Sequence, residues 1–127
     1  MIAGIGVDLT TVSRMAKAHN RFGPRLARRI LHENEMVAYT SHTSPERFLA
    51  KRFAVKEAAV KALGTGERNG VLLRDFYLEH DKLGKPELKV SGKALERCVA
   101  LEIDGFWVSL SDEKDTVMAF VVLEKNR

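Results

Sequence analysis

Residues 48–66 read Phe48-Leu49-Ala50-Lys51-Arg52-Phe53-Ala54-Val55-Lys56-Glu57-Ala58-Ala59-Val60-Lys61-Ala62-Leu63-Gly64-Thr65-Gly66. On a wheel of about 100° per residue, Leu49, Phe53, Val60 and Leu63 form one apolar stripe. Phe48, Val55, Ala59 and Ala62 form a second patch nearly opposite. A helix that is apolar on two sides is largely buried. Ser44-Pro45 supplies an N-cap and a proline at the first helical position, and Gly64 supplies a C-cap. The pattern therefore predicts a long central helix from Pro45 to Leu63. Ala50, Ala54, Glu57 and Lys61 share a narrow third face, where small residues leave room beside two charges one turn apart. Glu57 and Lys61 can be a plain i,i+4 pair, contributing about 0.2–0.5 kcal/mol if exposed, or they can bind something. Lys56 points into the first apolar stripe, so its stem can pack and its ammonium needs a partner or water.

Upstream, residues 2–9 read as a strand. Ala3, Ile5, Val7 and Leu9 alternate with Gly4, Gly6 and Asp8, which places an apolar face toward the core and leaves a face of bare backbone ending in a carboxylate. Glycine within a strand marks close approach of a ligand or another backbone. Thr10 or Thr11 can cap a helix that runs to about Phe22. Gly23-Pro24 breaks it and opens a short helix over about 25–32, and a further turn falls around Asn34–Tyr39. Downstream the character changes. Residues 71–81 and 87–90 read as strands around the turn at Gly84-Lys85-Pro86, and Ser91 caps a helix over about 92–102. Residues 106–111 and 117–123 form a hairpin. Helices followed by strands predict an α+β fold, a mainly antiparallel sheet packed against the long central helix, in one small domain spanning 1–127.

The chain has 127 residues, 45% of them apolar and 30% charged, enough for one core and a charged surface. Cys98 is its one cysteine, so no intramolecular disulfide forms; its helical setting predicts a buried apolar role. The short apolar start has no basic flank and is interrupted by Asp8, and no apolar run approaches the about 20 residues of a membrane span. These features point to a cytoplasmic protein with no membrane partner. Residues 1–63 hold 11 Lys/Arg against 5 Asp/Glu, whereas residues 64–127 hold 10 against 12. From Arg14 to Arg29 six basic residues (Arg14, Lys17, Arg21, Arg25, Arg28, Arg29) occur with no acid. Such a stripe suggests an anionic partner without identifying it.

The segment Lys56-Glu57-Ala58-Ala59-Val60-Lys61 resembles the Lys-Glu-Ala-x-x-Lys signature of phosphopantetheinyl transferases. Gly6-Val7-Asp8-Leu9, with Val12-Ser13-Arg14-Met15 after it, resembles their other motif, in the expected order. Length matches the short, holo-acyl-carrier-protein synthase branch. Leu31–Glu35, Gly84-Lys85-Pro86 and Val108-Ser109-Leu110-Ser111 extend the similarity into the C-terminal hairpin. The resemblance implies transfer of the 4′-phosphopantetheine arm of coenzyme A to a serine of apo-acyl carrier protein, releasing 3′,5′-ADP, in fatty acid biosynthesis. It further implies a homotrimer with active sites at subunit interfaces.

Matched residue by residue, Asp8 and Glu57 correspond to ligands of magnesium, an ion that prefers oxygen donors. Lys61 corresponds to a lysine on the transferred phosphate, so Asp8, Glu57 and Lys61 form the expected catalytic set. Arg52, Lys56, Lys61, Gly64, Thr65, Gly66, Lys85 and Pro86 are the expected coenzyme contacts. Arg14, Arg21, Arg25 and Arg28 are expected to dock the acidic carrier. The family pattern leaves the general base open among Glu57, Asp8 and a metal-bound water. Many relatives carry a histidine where this chain has Asp112, so a nucleotide contact at that place is in question. His19, His32, His42 and His80 lie outside the motifs and read as surface or structural. Two other functions fit parts of the sequence. A nucleic-acid-binding module could use the Arg14–Arg29 stripe, although Phe22 is its one aromatic. A magnesium-dependent hydrolase of diphosphate esters would need no carrier. No nucleic-acid partner is expected.

Overall fold

The computed structural model describes residues 1–65 and 69–126. The chain runs β1 (Ile2–Thr11), α1 (Val12–Phe22), α2 (Pro24–Ile30), α3 (Glu33–Ser41), α4 (Pro45–Leu63), a 3-10 turn (Leu73–Asp75), β2 (Phe76–His80), β3 (Pro86–Val90), α5 (Gly92–Ala100), β4 (Ile103–Glu113) and β5 (Thr116–Lys125). An antiparallel three-stranded sheet has the order β1-β5-β4, and β2 and β3 form a separate antiparallel pair. This is the α+β architecture expected. The alternating residues Val117, Ala119, Val121 and Leu123 of β5 are fully buried, and α4 lies across them. As its two apolar faces require, α4 buries most of its length, and Gly64 closes it with φ 83°. No helix among the described residues is long and apolar enough to cross a membrane.

The contact between β1 and α4 sets the geometry. A methyl group at Gly4 would overlap the carbonyl oxygen of Ala62, and one at Gly6 the carbonyl oxygen of Ala58. The strand backbone thus lies directly on two alanines one turn apart. This reverses the expected polarity of β1. The glycine face, not the apolar face, meets the core. Ile5, Val7 and Leu9 point outward, 60%, 50% and 65% exposed. The cause is spacing, because α4 sits too close to β1 for any side chain between them. Directly paired residues of an antiparallel ladder share a face, and Val7 pairs with Phe120, Leu9 with Met118. With Trp107 on β4, these residues make one apolar outer surface across all three strands.

Two boundaries differ from expectation. Residues 71–81 do not form one strand. The Asp75 carboxylate accepts the amides of Leu72 (3.0 Å) and Ala94 (3.3 Å), which curls residues 73–75 into a 3-10 turn, and β2 begins only at Phe76. The C-terminal hairpin is longer than its Val- and Phe-rich centre suggests. Helix α1 starts with Thr11 as its cap, the threonine oxygen accepting the Arg14 amide at 3.3 Å. The carboxylate of Asp115, in the β4–β5 turn, accepts two further bonds, from the Ser13 amide at 2.8 Å and the Ser13 hydroxyl at 2.6 Å.

Gly6→Ala should destabilise the fold severely. Helix α4 is packed on its other side and cannot retreat, so the added methyl forces backbone displacement costing about 3 kcal/mol or more. Thermal unfolding followed by circular dichroism should show Tm lowered by about 10 °C or more; an unchanged Tm would mean the two backbones are not in contact.

Candidate functional site

Asp8 stands on the glycine face of β1, two residues beyond Gly6, so the close approach delivers its carboxylate to the C-terminal half of α4. There the Lys61 ammonium donates to Asp8 Oδ1 (3.2 Å) and to the Val7 carbonyl (3.0 Å). The Thr10 hydroxyl donates to Asp8 Oδ2 at 2.9 Å. Glu57 lies one turn before Lys61. Asp8, Glu57 and Arg14 line one cavity of about 790 Å³ bounded by β1, α1, α2, α4 and the 3-10 turn. Met15, Leu26 and Phe53 give it apolar walls, and Arg29 and Arg74 also line it. Among the described residues no three potential metal-ligating side chains cluster. Two carboxylates on one wall nevertheless suit a hard cation such as magnesium, which commonly takes one or two carboxylates and completes its shell with water and substrate phosphates.

Lys61 is about half exposed, so its pairing with Asp8 is weak, about 0–1 kcal/mol. Lys61 can leave Asp8 for an arriving phosphate at little cost.

Lys56 behaves differently. Its side chain is fully buried, and its ammonium donates to Glu35 Oε1 and to the carbonyl of Ile30, the last residue of α2 (2.8 Å). Glu35 Oε1 also accepts the His32 amide (3.0 Å), and Oε2 accepts the Leu78 amide (3.1 Å). One ammonium and one carboxylate thus join α2, α3, α4 and β2. Arg52 reaches the same carboxylate at 3.5 Å while its guanidinium lies 4.7 Å over the Phe48 ring. The expectation that Lys56 contacts coenzyme A phosphate is corrected: it faces inward because its position on α4 lies in the apolar stripe. Arg52, 13% exposed at its side chain, is largely engaged in the same network. Burial, partly offset by Glu35, lowers the Lys56 pKa from 10.5 to about 8.

The remaining expected residues separate in space. Lys85 and Pro86 line a different concavity of about 460 Å³ together with Lys51 and Asp112. Asp112 is paired with Arg47 (3.0 Å) and Lys51 (3.6 Å). Gly64 caps α4, Thr65 follows it, and Gly66 lies outside the described residues. Arg14, Arg21, Arg25 and Arg28 are exposed along α1 and α2. Among the described residues each histidine but His80 has a structural partner: His19 meets the Tyr39 hydroxyl, His32 caps α3, and His42 accepts the Ser44 amide. His80 is exposed at the end of β2, and Cys98 is buried. Sequence reasoning missed Glu35, Arg74 and Asp115, and read Arg29 only as part of the basic stripe. Glu35 stands in a His32-x-x-Glu35 capping box, a signal obscured because histidine replaces the usual serine or threonine.

A model of the 4′-phosphopantetheinyl transferase superfamily matches residues 4–121. A holo-[acyl-carrier-protein] synthase of Vibrio cholerae is 49% identical over 125 residues, covering 98% of this chain and 99% of its own. The crystal structure of the Neisseria meningitidis holo-[acyl-carrier-protein] synthase superposes with a TM-score of 0.92 at 42% identity, covering 98% of this chain and 100% of its own. A Bacillus anthracis holo-(acyl-carrier-protein) synthase in complex with CoA (3′,5′-ADP) gives 0.80 at 35% identity, covering 99% of each chain.

Lys56→Met should lower stability by about 3–5 kcal/mol, because it leaves the Glu35 carboxylate buried without its main partner. Between about 8 and 10.5 the unfolded chain holds the Lys56 proton and the folded chain has released it. Wild-type stability should therefore gain on that of Lys56→Met as pH rises through this window. Urea unfolding of both proteins at several pH values measures this; a difference that shrinks with pH would contradict the assignment.

Proposed function

The chain belongs to the 4′-phosphopantetheinyl transferase superfamily, and we propose that it moves the 4′-phosphopantetheine arm of coenzyme A onto a serine of apo-acyl carrier protein. The observation that carries this reading is the single cavity lined by Asp8, Glu57 and Arg14, with Lys61 resting on Asp8. The serine hydroxyl oxygen forms a new bond to the β-phosphorus of coenzyme A, the diphosphate bond breaks, and 3′,5′-ADP leaves. Asp8 and Glu57 would hold magnesium, which when bound offsets the charge of the diphosphate. Lys61, loosely held by Asp8, turns to the phosphoryl oxygens as charge develops on them. The serine proton passes to a carboxylate of the cavity wall, Asp8 or Glu57, and the leaving nucleotide departs as a phosphate monoester. Arg14 stands at the rim of the same cavity, with Arg21, Arg25 and Arg28 further along the basic face. An acidic carrier docked there brings its serine to the carboxylates, and complementary rim charges raise the association rate.

Two features support a homotrimer. The outer sheet face exposes Val7, Leu9, Trp107, Met118 and Phe120 together, and contiguous apolar patches of this kind mark interaction sites. Lys85 and Pro86, expected at the coenzyme with Gly64 and Thr65, lie in a different concavity from Asp8 and Glu57. A coenzyme bound across two subunits would bring one subunit's carboxylates to the other's Lys85.

The deciding experiment incubates the protein with coenzyme A, magnesium and apo-acyl carrier protein and weighs the carrier by mass spectrometry. Wild type should add one phosphopantetheine, and Glu57→Gln should slow the addition by about 100-fold or more. Free phosphopantetheine with an unmodified carrier would identify a hydrolase instead. Phe120→Glu places a charge in the apolar outer face, and sedimentation velocity should show dissociation of the assembly; a wild-type protein that sediments as a monomer overturns the trimer.

A further inference from the structure

The cations of this protein fall into two groups. Arg47, Lys51, Arg52, Lys56, Lys61 and Lys93 each have a carboxylate within 4.0 Å. Among the described residues the other cations have none, Lys17, Arg21, Arg25, Lys85 and Lys89 among them; of these, Arg14, Arg28, Arg29 and Arg74 are exposed and line two neighbouring concavities. Arg14, on α1, lines one side of the large cavity, and Arg29, on α2, and Arg74, in the 3-10 turn, line it elsewhere. Arg28, the neighbour of Arg29, lines an adjoining hollow of about 430 Å³ that Arg74 also lines. Arg74 therefore stands on the ridge between two concavities, with an α2 arginine on each side. It is 45 residues beyond Arg29 in the sequence, and the Asp75-capped turn brings it there.

We propose that Arg29 and Arg74, with Arg28, form a second arm of the carrier-docking surface. This arm grips an acidic segment of the carrier protein across the cavity from Arg14. The inference rests on the transferase reading above and adds two residues outside its expected docking set. Charge complementarity favours a protein over a nucleic acid. A nucleic acid would lay phosphates over the floor at Asp8 and Glu57, the place the transferase reading gives to the coenzyme diphosphate, whereas a carrier can place its carboxylates on the rim and a neutral serine over the floor. Leu26, Phe53 and Leu73 are partly buried where they line the cavity, so apolar side chains of such a segment have a surface to cover. The arginines would hold the partner from two sides, which fixes its orientation as well as its position.

The test compares wild type, Arg74→Glu, Arg29→Glu and Lys89→Glu in the mass-spectrometric transfer assay, varying carrier and coenzyme A separately at low and high salt. Lys89 is exposed on β3 away from the cavity and makes the same change in net charge. The expected result is a rise of about fivefold in carrier KM for each arginine variant at low salt. That rise should collapse at high salt, with coenzyme A KM and kcat unchanged and Lys89→Glu like wild type. An effect on coenzyme A KM alone would assign the arm to the coenzyme and overturn the proposal. Carrier KM unaffected, or raised equally by Lys89→Glu, would also overturn it. So would salt-sensitive competition by single-stranded RNA that Arg74→Glu abolishes while carrier KM holds. Wild type that leaves the carrier unmodified defeats the transferase reading itself, and this proposal with it, through a different control.

Discussion

The backbone of β1 lies on α4 with no side chain between them. Gly4 and Gly6 face the carbonyls of Ala62 and Ala58 so closely that a single methyl would overlap them. Everything chemical in the cavity depends on that contact. Asp8 follows Gly6 on the same strand face, and Lys61 and Glu57 belong to the same half of α4. Were the strand held off by ordinary side chains, sheet and helix would separate by several ångströms and the Asp8–Lys61 pair at 3.2 Å would not form. The same contact turns Ile5, Val7 and Leu9 outward. One steric constraint thus both gathers the polar groups and leaves an apolar sheet face exposed.

Adjacent positions of α4 serve opposite ends. Lys56 is fully buried and joins three other elements through Glu35 and the Ile30 carbonyl. A buried ion pair of this kind adds little stability over an apolar replacement, yet its half removal is costly. Its effect here is positional, because it fixes the end of α2, whose arginines stand at the cavity. Glu57 lines the cavity, and Lys61, about half exposed, reaches it through Asp8. Arg47, Lys51, Arg52 and Lys56 of α4 have internal carboxylates, whereas among the described residues Arg14, Arg29 and Arg74 at the cavity have none.

The sequence alone determined the long buried helix, its stop at Gly64, the α+β order of elements and the family to which the chain belongs. Those features rest on local chemistry: 3.6-residue periodicity, a proline at the first turn, a glycine at the last, and motifs in a fixed order. The carboxylates of Asp8 and Glu57 were legible for the same reason. Only the tertiary structure decided which face of β1 meets the core, because alternation marks two faces without saying which one a helix will press against. It also decided that Lys56 points to Glu35, that Asp115 caps α1 from 102 residues away, and that Arg74 joins Arg29 at one cavity. These depend on contacts between distant segments, and neither periodicity nor spacing along a chain records distance across a fold.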